Sequence, residues 1–432
     1  MFRKTTLANG VRVITDTVPG ARSVSLGLLV DAGPQDDPVG QSGLAHLTEH
    51  GLFLGTNGRS STAISRLMDA AGGQMGAFTS RDYTCLYANV LDDYCTYAID
   101  LMGDILVNST FPEDHIAREK LAIQNEIEAS RDNPSDRVHS LLKKHVWPKH
   151  PLGRSIVGNP QHMQSLSRED VAEFFHKHYV PDCVTLSAAG NVDHETFVEQ
   201  SQDALWALSG SRLPPVRSAA RFQQAVAFEE SPYSQAYFAL AVPTQPYAHL
   251  DRYMLYVINS LLGGGMSSRL FRQLREERGL VYAISSEIHA YRDGGFLVIE
   301  GSTLPEQLMQ VVALTLIELY QLASNEKPID EEELWTAKMQ IRGQHMLAAD
   351  SMHTRMSRLA TQELYFGRQL EEFEVLGHFN EIDLASIQKF AEASFLPVLG
   401  EASLAVVGPA CSECFTEDSL RGLLAEFQGA SV

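Results

Sequence analysis

The chain has 432 residues, of which 44% are hydrophobic and 20% charged; that is ordinary globular composition, and the length exceeds what one core of up to about 250–300 residues fills, so two domains are expected. A formal net charge of −20 repels phosphate backbones and excludes nucleic acid as a natural partner; the same surplus reads either as a source of solubility or, more sharply, as an acidic cavity that attracts basic peptides. No run of about 20 apolar residues is present to span a membrane, and Met1-Phe2-Arg3-Lys4 leads into a strand-like segment rather than an apolar signal core, so a soluble cytoplasmic protein is the expectation.

Segments 10–17 and 24–32 are rich in Val, Ile and Leu and read as strands. Between about 42 and 55, Leu44, Leu47, His50, Leu52 and Phe53 recur at helical spacing. A second helix is expected over 61–71, stopped by Gly72-Gly73. Residues 74–91 alternate and predict a hairpin, and helices follow at about 93–107, 112–130, 135–146 and 167–178, with a strand over 184–189. Residues 209–222 are a linker by composition.

Beyond the linker the order of elements begins again. Strand 235–242 repeats 25–30, helix 253–262 repeats 44–53, Ser268-Arg269-Leu270 echoes Ser65-Arg66-Leu67, and 297–300 matches 86–89 at an offset of 211 positions. An internal duplication follows, with domains 1–208 and 223–432. Neither half alternates strand and helix regularly, so each is expected to be an α+β domain with a largely antiparallel sheet flanked by helices.

The five cysteines, Cys85, Cys95, Cys183, Cys411 and Cys414, are odd in number and scattered, which argues against a disulfide framework. The CxxC of Cys411 and Cys414 has no second pair to complete a zinc ribbon, so these are expected to be free thiols. Gly263–Gly265 lacks the Gly-Lys-Ser/Thr ending of a phosphate loop.

The chemistry concentrates in Gly43-Leu-Ala-His46-Leu-Thr-Glu49-His50-Gly51. Four positions apart on a helix, His46 and His50 present two imidazoles on one face, and Glu49 borders it. Two imidazoles and a carboxylate are a zinc donor set, and a further unligated carboxylate can take a proton from metal-bound water. The same residues would also suit a polar patch on an amphipathic helix. Two features weigh against that: Leu44, Leu47 and Phe53 make the helix apolar enough to be buried, where histidines need partners, and a further carboxylate donor appears downstream. In helix 112–130, Glu119 and Glu126 lie two turns apart on one face among Ile116, Leu121, Ile123 and Ile127. Glu126 is the candidate third ligand, and Glu119 a group that holds a ligand or the attacking water.

With Glu126 following His50 by 76 positions, the sequence resembles the M16 metallopeptidases, which include insulin-degrading enzyme, pitrilysin and the mitochondrial processing peptidase. The family pattern is H-x-x-E-H followed by a Glu some 70–76 residues later. Phe53-Leu-Gly55-Thr56, Pro151-Leu-Gly-Arg154-Ser-Ile-Val-Gly158, Leu166-Ser-Arg-Glu-Asp170 and His178-Tyr179 extend the likeness. It covers the chain from about residue 7 to beyond 400 and matches the short two-domain M16B form, with the LuxS/MPP-like metallohydrolase fold.

The resemblance implies one Zn2+ per chain held by His46, His50 and Glu126, with Glu49 as general base and Glu119 as a supporting carboxylate. At the 211 offset, the motif maps onto Val257-Ile-Asn-Ser-Leu261, which offers no ligand set. The second half instead carries Arg275 and Tyr282, which by resemblance contact the substrate backbone and the developing oxyanion; a surface ion pair for Arg275 and a core position for Tyr282 are the alternatives. Substrates in this family add a strand to a sheet edge, matched here by Met75-Gly76-Ala77-Phe78-Thr79. Relatives usually carry Asn at the position of Gly76 and a bulky apolar residue at that of Gly51. Two domains per chain imply a dimer, either a homodimer or a heterodimer with a metal-free relative, closing on peptides. A precursor-processing protease and a non-catalytic scaffold subunit are the competing expectations.

Overall fold

The computed structural model describes residues 2–213, 215, 217–409 and 415–428; Cys411 and Cys414 lie outside these residues. Cys85, Cys95 and Cys183 are free thiols. In the first half, strands β1 (Phe2–Thr6), β2 (Arg12–Thr17) and β3 (Ser23–Val30) precede helices α1 (Leu44–Gly51) and α2 (Ser61–Ala70). The hairpin β4 (Gln74–Thr79) and β5 (Thr84–Leu91) leads to α3 (Cys95–Asn108), α4 (Glu113–Asp132), α5 (Pro134–Val146), α6 (Pro160–Ser165), α7 (Arg168–His178), β6 (Val184–Gly190) and α8 (His194–Leu205). The second half runs β7 (Val226–Glu230), β8 (Ala236–Thr244), α9 (Arg252–Gly263), β9 (Val281–Ala290), β10 (Gly295–Thr303), α10 (Leu308–Ala323), α11 (Glu331–Ala348), α12 (Met352–Phe366), α13 (Glu372–Glu381), α14 (Leu384–Phe395), β11 (Ser403–Gly408) and α15 (Glu417–Gln428). No helix among the described residues is long and apolar enough to cross a membrane.

The chain forms two compact units, each assembled from three segments. The first comprises residues 1–129, 154–216 and 346–370, and the second 130–153, 217–345 and 371–432. The first unit holds a six-stranded sheet in the order β1-β2-β6-β3-β5-β4. Every neighbouring pair in it is antiparallel except β2 with β6. The second holds a five-stranded sheet, β7-β11-β8-β10-β9, in which only β7 with β11 is parallel. With β1 set aside, the two orders correspond strand for strand, including the position of the single parallel pair. This is the α+β architecture expected, with helices flanking largely antiparallel sheets.

Each sheet is covered in part by a helix from the opposite half of the chain. Helix α12 lies on β2, β3 and β6 of the first unit, and α5 on β7, β8 and β11 of the second. The first core gathers Val13, Leu26, Leu28 and Leu86 from the sheet with Leu44 and Leu47 of α1, Ile105 of α3 and Ile123 of α4. That packing seats α1 beside the edge strand β4. Residues 209–222 form no helix or strand where described, yet they are fastened. Arg212 bonds the carbonyl of Asp31 and the ring of His178 in the first unit, and Ala220 donates to the Asp293 carbonyl in the second.

Candidate metal centre

Helix α1 is short because both ends are fixed. Gly43 begins it in the left-handed region (φ 99°), and a Cβ there would lie 2.9 Å from the Cα of Gly158, so only glycine admits the close approach of segment 151–158. Gly43 has no side chain to cap the helix. Asp37 takes over that role: its carboxylate accepts from the backbone N–H of Gly43 and of Ala45, both at 2.8 Å. Arg154 donates to the Asp37 carbonyl, and Arg81 to the Arg154 carbonyl. At the other end Gly51 is the last helical residue, not an interior one, and the Phe111 ring occupies the space a Cβ would need, at 2.8 Å.

From this helix His46 and His50 point the same way, their rings 4.7 Å apart and near-perpendicular. Helix α4 completes the cluster. Glu126 places one carboxylate oxygen 3.7 Å from His46 Nε2 and the other 3.7 Å from His50 Nε2. The three donors lie within 4.8 Å of one another. Two turns earlier, Glu119 accepts from His50 Nδ1 at 2.9 Å. That bond fixes the His50 tautomer and turns the Nε2 lone pair toward Glu126. Ile116, Ile123 and Ile127 are buried as expected, whereas Leu121 is exposed on the far side of α4.

These residues fit a divalent cation. In a tetrahedral zinc site, bonds of about 2.0–2.1 Å put donors roughly 3.4 Å apart, close to the spacing here. His46 is the more telling residue: it is buried, its Nδ1 has no partner, and neither ring nitrogen makes a hydrogen bond among the described residues. Burial, and secondarily the neighbouring His50, lowers its pKa to about 4. It is therefore neutral at pH 7, with a lone pair to offer.

Glu49 stands beside the donors but not among them. It is buried, and Thr79 donates to its Oε2 at 2.7 Å. Burial raises its pKa, with the nearby Glu126 adding to the rise and the Thr79 bond and His50 opposing it. Thr79 ends the edge strand β4, where Gly76, Ala77 and Phe78 also lie. Arg275 and Tyr282 belong to the second unit. Arg275 is in a short π-helical segment, Phe271–Glu276, with its guanidinium 4.7 Å from the Phe271 ring and 5.6 Å from that of Tyr282, which is 77% exposed. Tyr282 is thus not a core residue.

Sequence reasoning missed Asp37, and it placed Thr79 on the substrate edge without its bond to Glu49. Asp37 caps a helix that starts seven residues later, across a loop, so no N-cap spacing announces it. That bond could have been expected from the hairpin pattern, which puts Thr79 at the end of β4 nearest α1.

Two imidazoles and a carboxylate on adjoining helices, with the carboxylates of Glu49 and Glu119 beside them, form a grouping that could hold a metal ion, on an α+β fold whose two sheets share one strand order. Comparison with known proteins agrees. Residues 12–160 match the profile of the insulinase family, peptidase family M16, and residues 165–341 that of the peptidase M16 inactive domain. "Uncharacterized zinc protease YmxG" of Bacillus subtilis is 33% identical over 95% of this chain and 98% of its own length. An uncharacterized zinc protease of Streptomyces coelicolor is 34% identical over 94% of this chain and 89% of its own. Among solved structures, the peptidase M16 inactive domain from Pseudomonas fluorescens superposes with a TM-score of 0.87 at 21% identity, covering 95% and 98% of the two chains. A chain of Complex III2 from Candida albicans gives 0.85 at 19% identity, covering 98% and 99%. The chain belongs to the M16 peptidase family.

Proposed function

We propose that this protein is a zinc-dependent endopeptidase that hydrolyses peptides and unfolded segments. The observation that carries the reading is the convergence of three donors, among them a buried, unbonded His46, with Glu49 alongside but outside the donor set. His46, His50 and Glu126 hold one zinc ion per chain. Bound there, zinc supplies Lewis acidity and brings a water's pKa toward neutrality. Glu49 is placed to accept a proton from an attacking water at Oε1. Thr79 holds Oε2, Oε1 makes no hydrogen bond among the described residues, and burial raises the carboxylate's proton affinity toward the range that suits a general base. The same carboxyl then passes the proton to the amine that leaves.

The peptide lies as an added strand on β4, along Gly76, Ala77 and Phe78. The order β5-β4 leaves the outer edge of β4 unpaired within its sheet, which is what strand addition requires. Arg275 and Tyr282 contact the peptide backbone and the developing oxyanion in a homodimer, or in a heterodimer with a metal-free relative. Their mutual stacking on an exposed surface supports this assignment. The free thiols suit a reducing cytoplasm. A scaffold role, which the likeness to a Complex III2 chain would suit, is disfavoured by the intact donor set.

The test is cleavage of a quenched fluorescent basic peptide. We expect the wild type to cut, a chelator to stop it, zinc to restore it, and Glu49→Gln to lose about 10²–10⁴-fold in rate while keeping its metal. Zinc binding without cleavage of any peptide would favour a dedicated precursor and partner. Absence of zinc binding would sink the reading.

A further inference from the structure

The substrate edge has one feature the family pattern does not supply. Gly76 pairs with Tyr87 across the β4–β5 ladder, and Tyr87 pairs in turn with Gly27 of β3. Tyr87 is therefore flanked by two glycines in one row on one face of the sheet. On the Gly27 side the space is filled: the Met356 sulfur sits where a Gly27 Cβ would be. His353, one turn earlier on α12, packs edge-on against the Tyr87 ring at 4.9 Å. The ring leans the other way, over Gly76. A Cβ on residue 76 would lie 2.6 Å from the Tyr87 hydroxyl oxygen, 2.8 Å from Cζ and 3.1 Å from Cε1. The hydroxyl end is thus the part over the edge strand. That hydroxyl makes no hydrogen bond among the described residues, and Tyr87 is only half-buried. The hydroxyl oxygen is not buried, so it is open to solvent and to a ligand on that face.

Resting on the proposed peptidase reading, we infer that Tyr87 reads the substrate in place of a residue-76 side chain. Its hydroxyl donates a hydrogen bond to the peptide residue that adds opposite Gly76, and Phe78, on the same face 6.3 Å from the Tyr87 ring, walls the subsite. Gly76 is then not a lost contact but the opening through which a neighbouring strand supplies one. Tyr87 is a specificity residue of this chain, and Met356 and His353 set the direction of its lean. Simple cover of an edge glycine by an aromatic ring would require the ring but not the hydroxyl, and this difference can be measured.

The experiment uses the full-length Glu49→Gln protein, loaded with zinc, and a fluorescent basic nonapeptide whose binding is followed by anisotropy. Tyr87→Phe keeps the ring and removes the donor; we expect it to weaken binding by about three- to tenfold, the range of one net hydrogen bond. In a Gly76→Asn background the new side chain displaces the phenol, so Tyr87→Phe should there change binding by less than about twofold; Gly76→Ala, with its smaller clash, provides the same comparison if Asn impairs folding. In the cleaving enzyme, Tyr87→Phe should raise KM and leave kcat nearly unchanged, as expected for loss of a contact made equally in ground and transition states. No effect of Tyr87→Phe in the glycine background, or an equal effect in both backgrounds, would overturn the inference. A wild type that binds the peptide but does not cut it would count against general peptide hydrolysis in favour of a dedicated precursor, and would leave this test standing. A protein that binds no peptide would sink both.

Discussion

At the scale of single residues, the centre depends on groups that never touch the metal ligands. Asp37 is buried and caps α1 from a distance. Burial pushes its carboxyl from an ordinary 3.8 up to about 7; the N–H groups of Ala45 and Gly43 and the charge of Arg154 oppose that rise, and Asp36 adds to it. The folded pKa lies above the unfolded one, so between about pH 4 and 7 the folded state holds more protons than the unfolded state. Stability from this group therefore declines as pH rises through that window and is flat above it. Asp37→Asn retains one acceptor for the helix and cannot ionise. Urea unfolding midpoints measured at pH 5, 6, 7 and 8 should show the wild type losing ground to Asp37→Asn as pH rises, with the gap constant beyond about pH 8. A pH-independent gap would place the cap's proton elsewhere. Gly51 makes a second case. The resemblance marked it as a departure, and the structure supplies the reason: Phe111, itself buried and at φ 49°, fills the space against the end of α1. Gly51→Leu should cost about 1–3 kcal/mol by overpacking, read as a lower thermal midpoint, and Phe111→Ala in the same chain should recover part of it.

At the scale of elements, the centre is a contact between two helices. Helix α1 offers two imidazoles and α4 two carboxylates, and His50 is held at Nδ1 by Glu119 with its Nε2 facing Glu126. Glu119→Ala removes only the outer of these contacts. It should weaken zinc binding by about 10–100-fold, measured by competition with a colorimetric chelator, while Glu119→Gln, which still accepts from Nδ1, should lose less. Equal losses for both variants would mean that the Glu119 charge rather than its hydrogen bond matters. The helix-borne grouping was legible in the sequence because i, i+4 spacing is local geometry, and Glu119 and Glu126 because two turns fix a face. The meeting of the two helices was not local: 76 positions separate His50 from Glu126, and only the family pattern bridged them. The Thr79 bond to Glu49 and the place of Tyr87 over Gly76 escaped for a related reason. Their roles come from strand register and from what glycine leaves open on the next strand, and neither is written in the residues themselves. The duplicated strand order could be read from the echo at 211 positions, since each repeated strand keeps its own apolar run.

At the scale of the molecule, what escaped was the exchange of helices. Both α5 and α12 look like ordinary amphipathic helices of the half in which they occur, because periodicity reports that a face is buried and not against what. In the structure α12 completes the unit that carries the His46, His50 and Glu126 cluster, although residues 217–345 before it belong to the other unit. Its buried Met356 and Leu359 lie against the first sheet's helix-covered face, worth together about 3–6 kcal/mol of apolar burial. Arg355 bonds Asp16 at 2.7 Å, Lys4 bonds Glu363 at 2.6 Å, and the Tyr365 hydroxyl donates to Asp82 at 2.7 Å. Set against a total stability of about 5–15 kcal/mol for a domain, removing this helix is not a minor truncation. A fragment of residues 1–208, cut at the compositional boundary, should therefore contain all three proposed ligands and still fail to bind zinc tightly. It should unfold without a cooperative transition and bind a hydrophobic dye through the uncovered sheet. Joining residues 346–370 to that fragment through a flexible Gly/Ser linker should restore a cooperative transition and chelator-resistant zinc binding. If the bare 1–208 fragment already melts cooperatively and holds zinc as the full chain does, then α12 is a passenger on the sheet and the centre is complete within the first half alone.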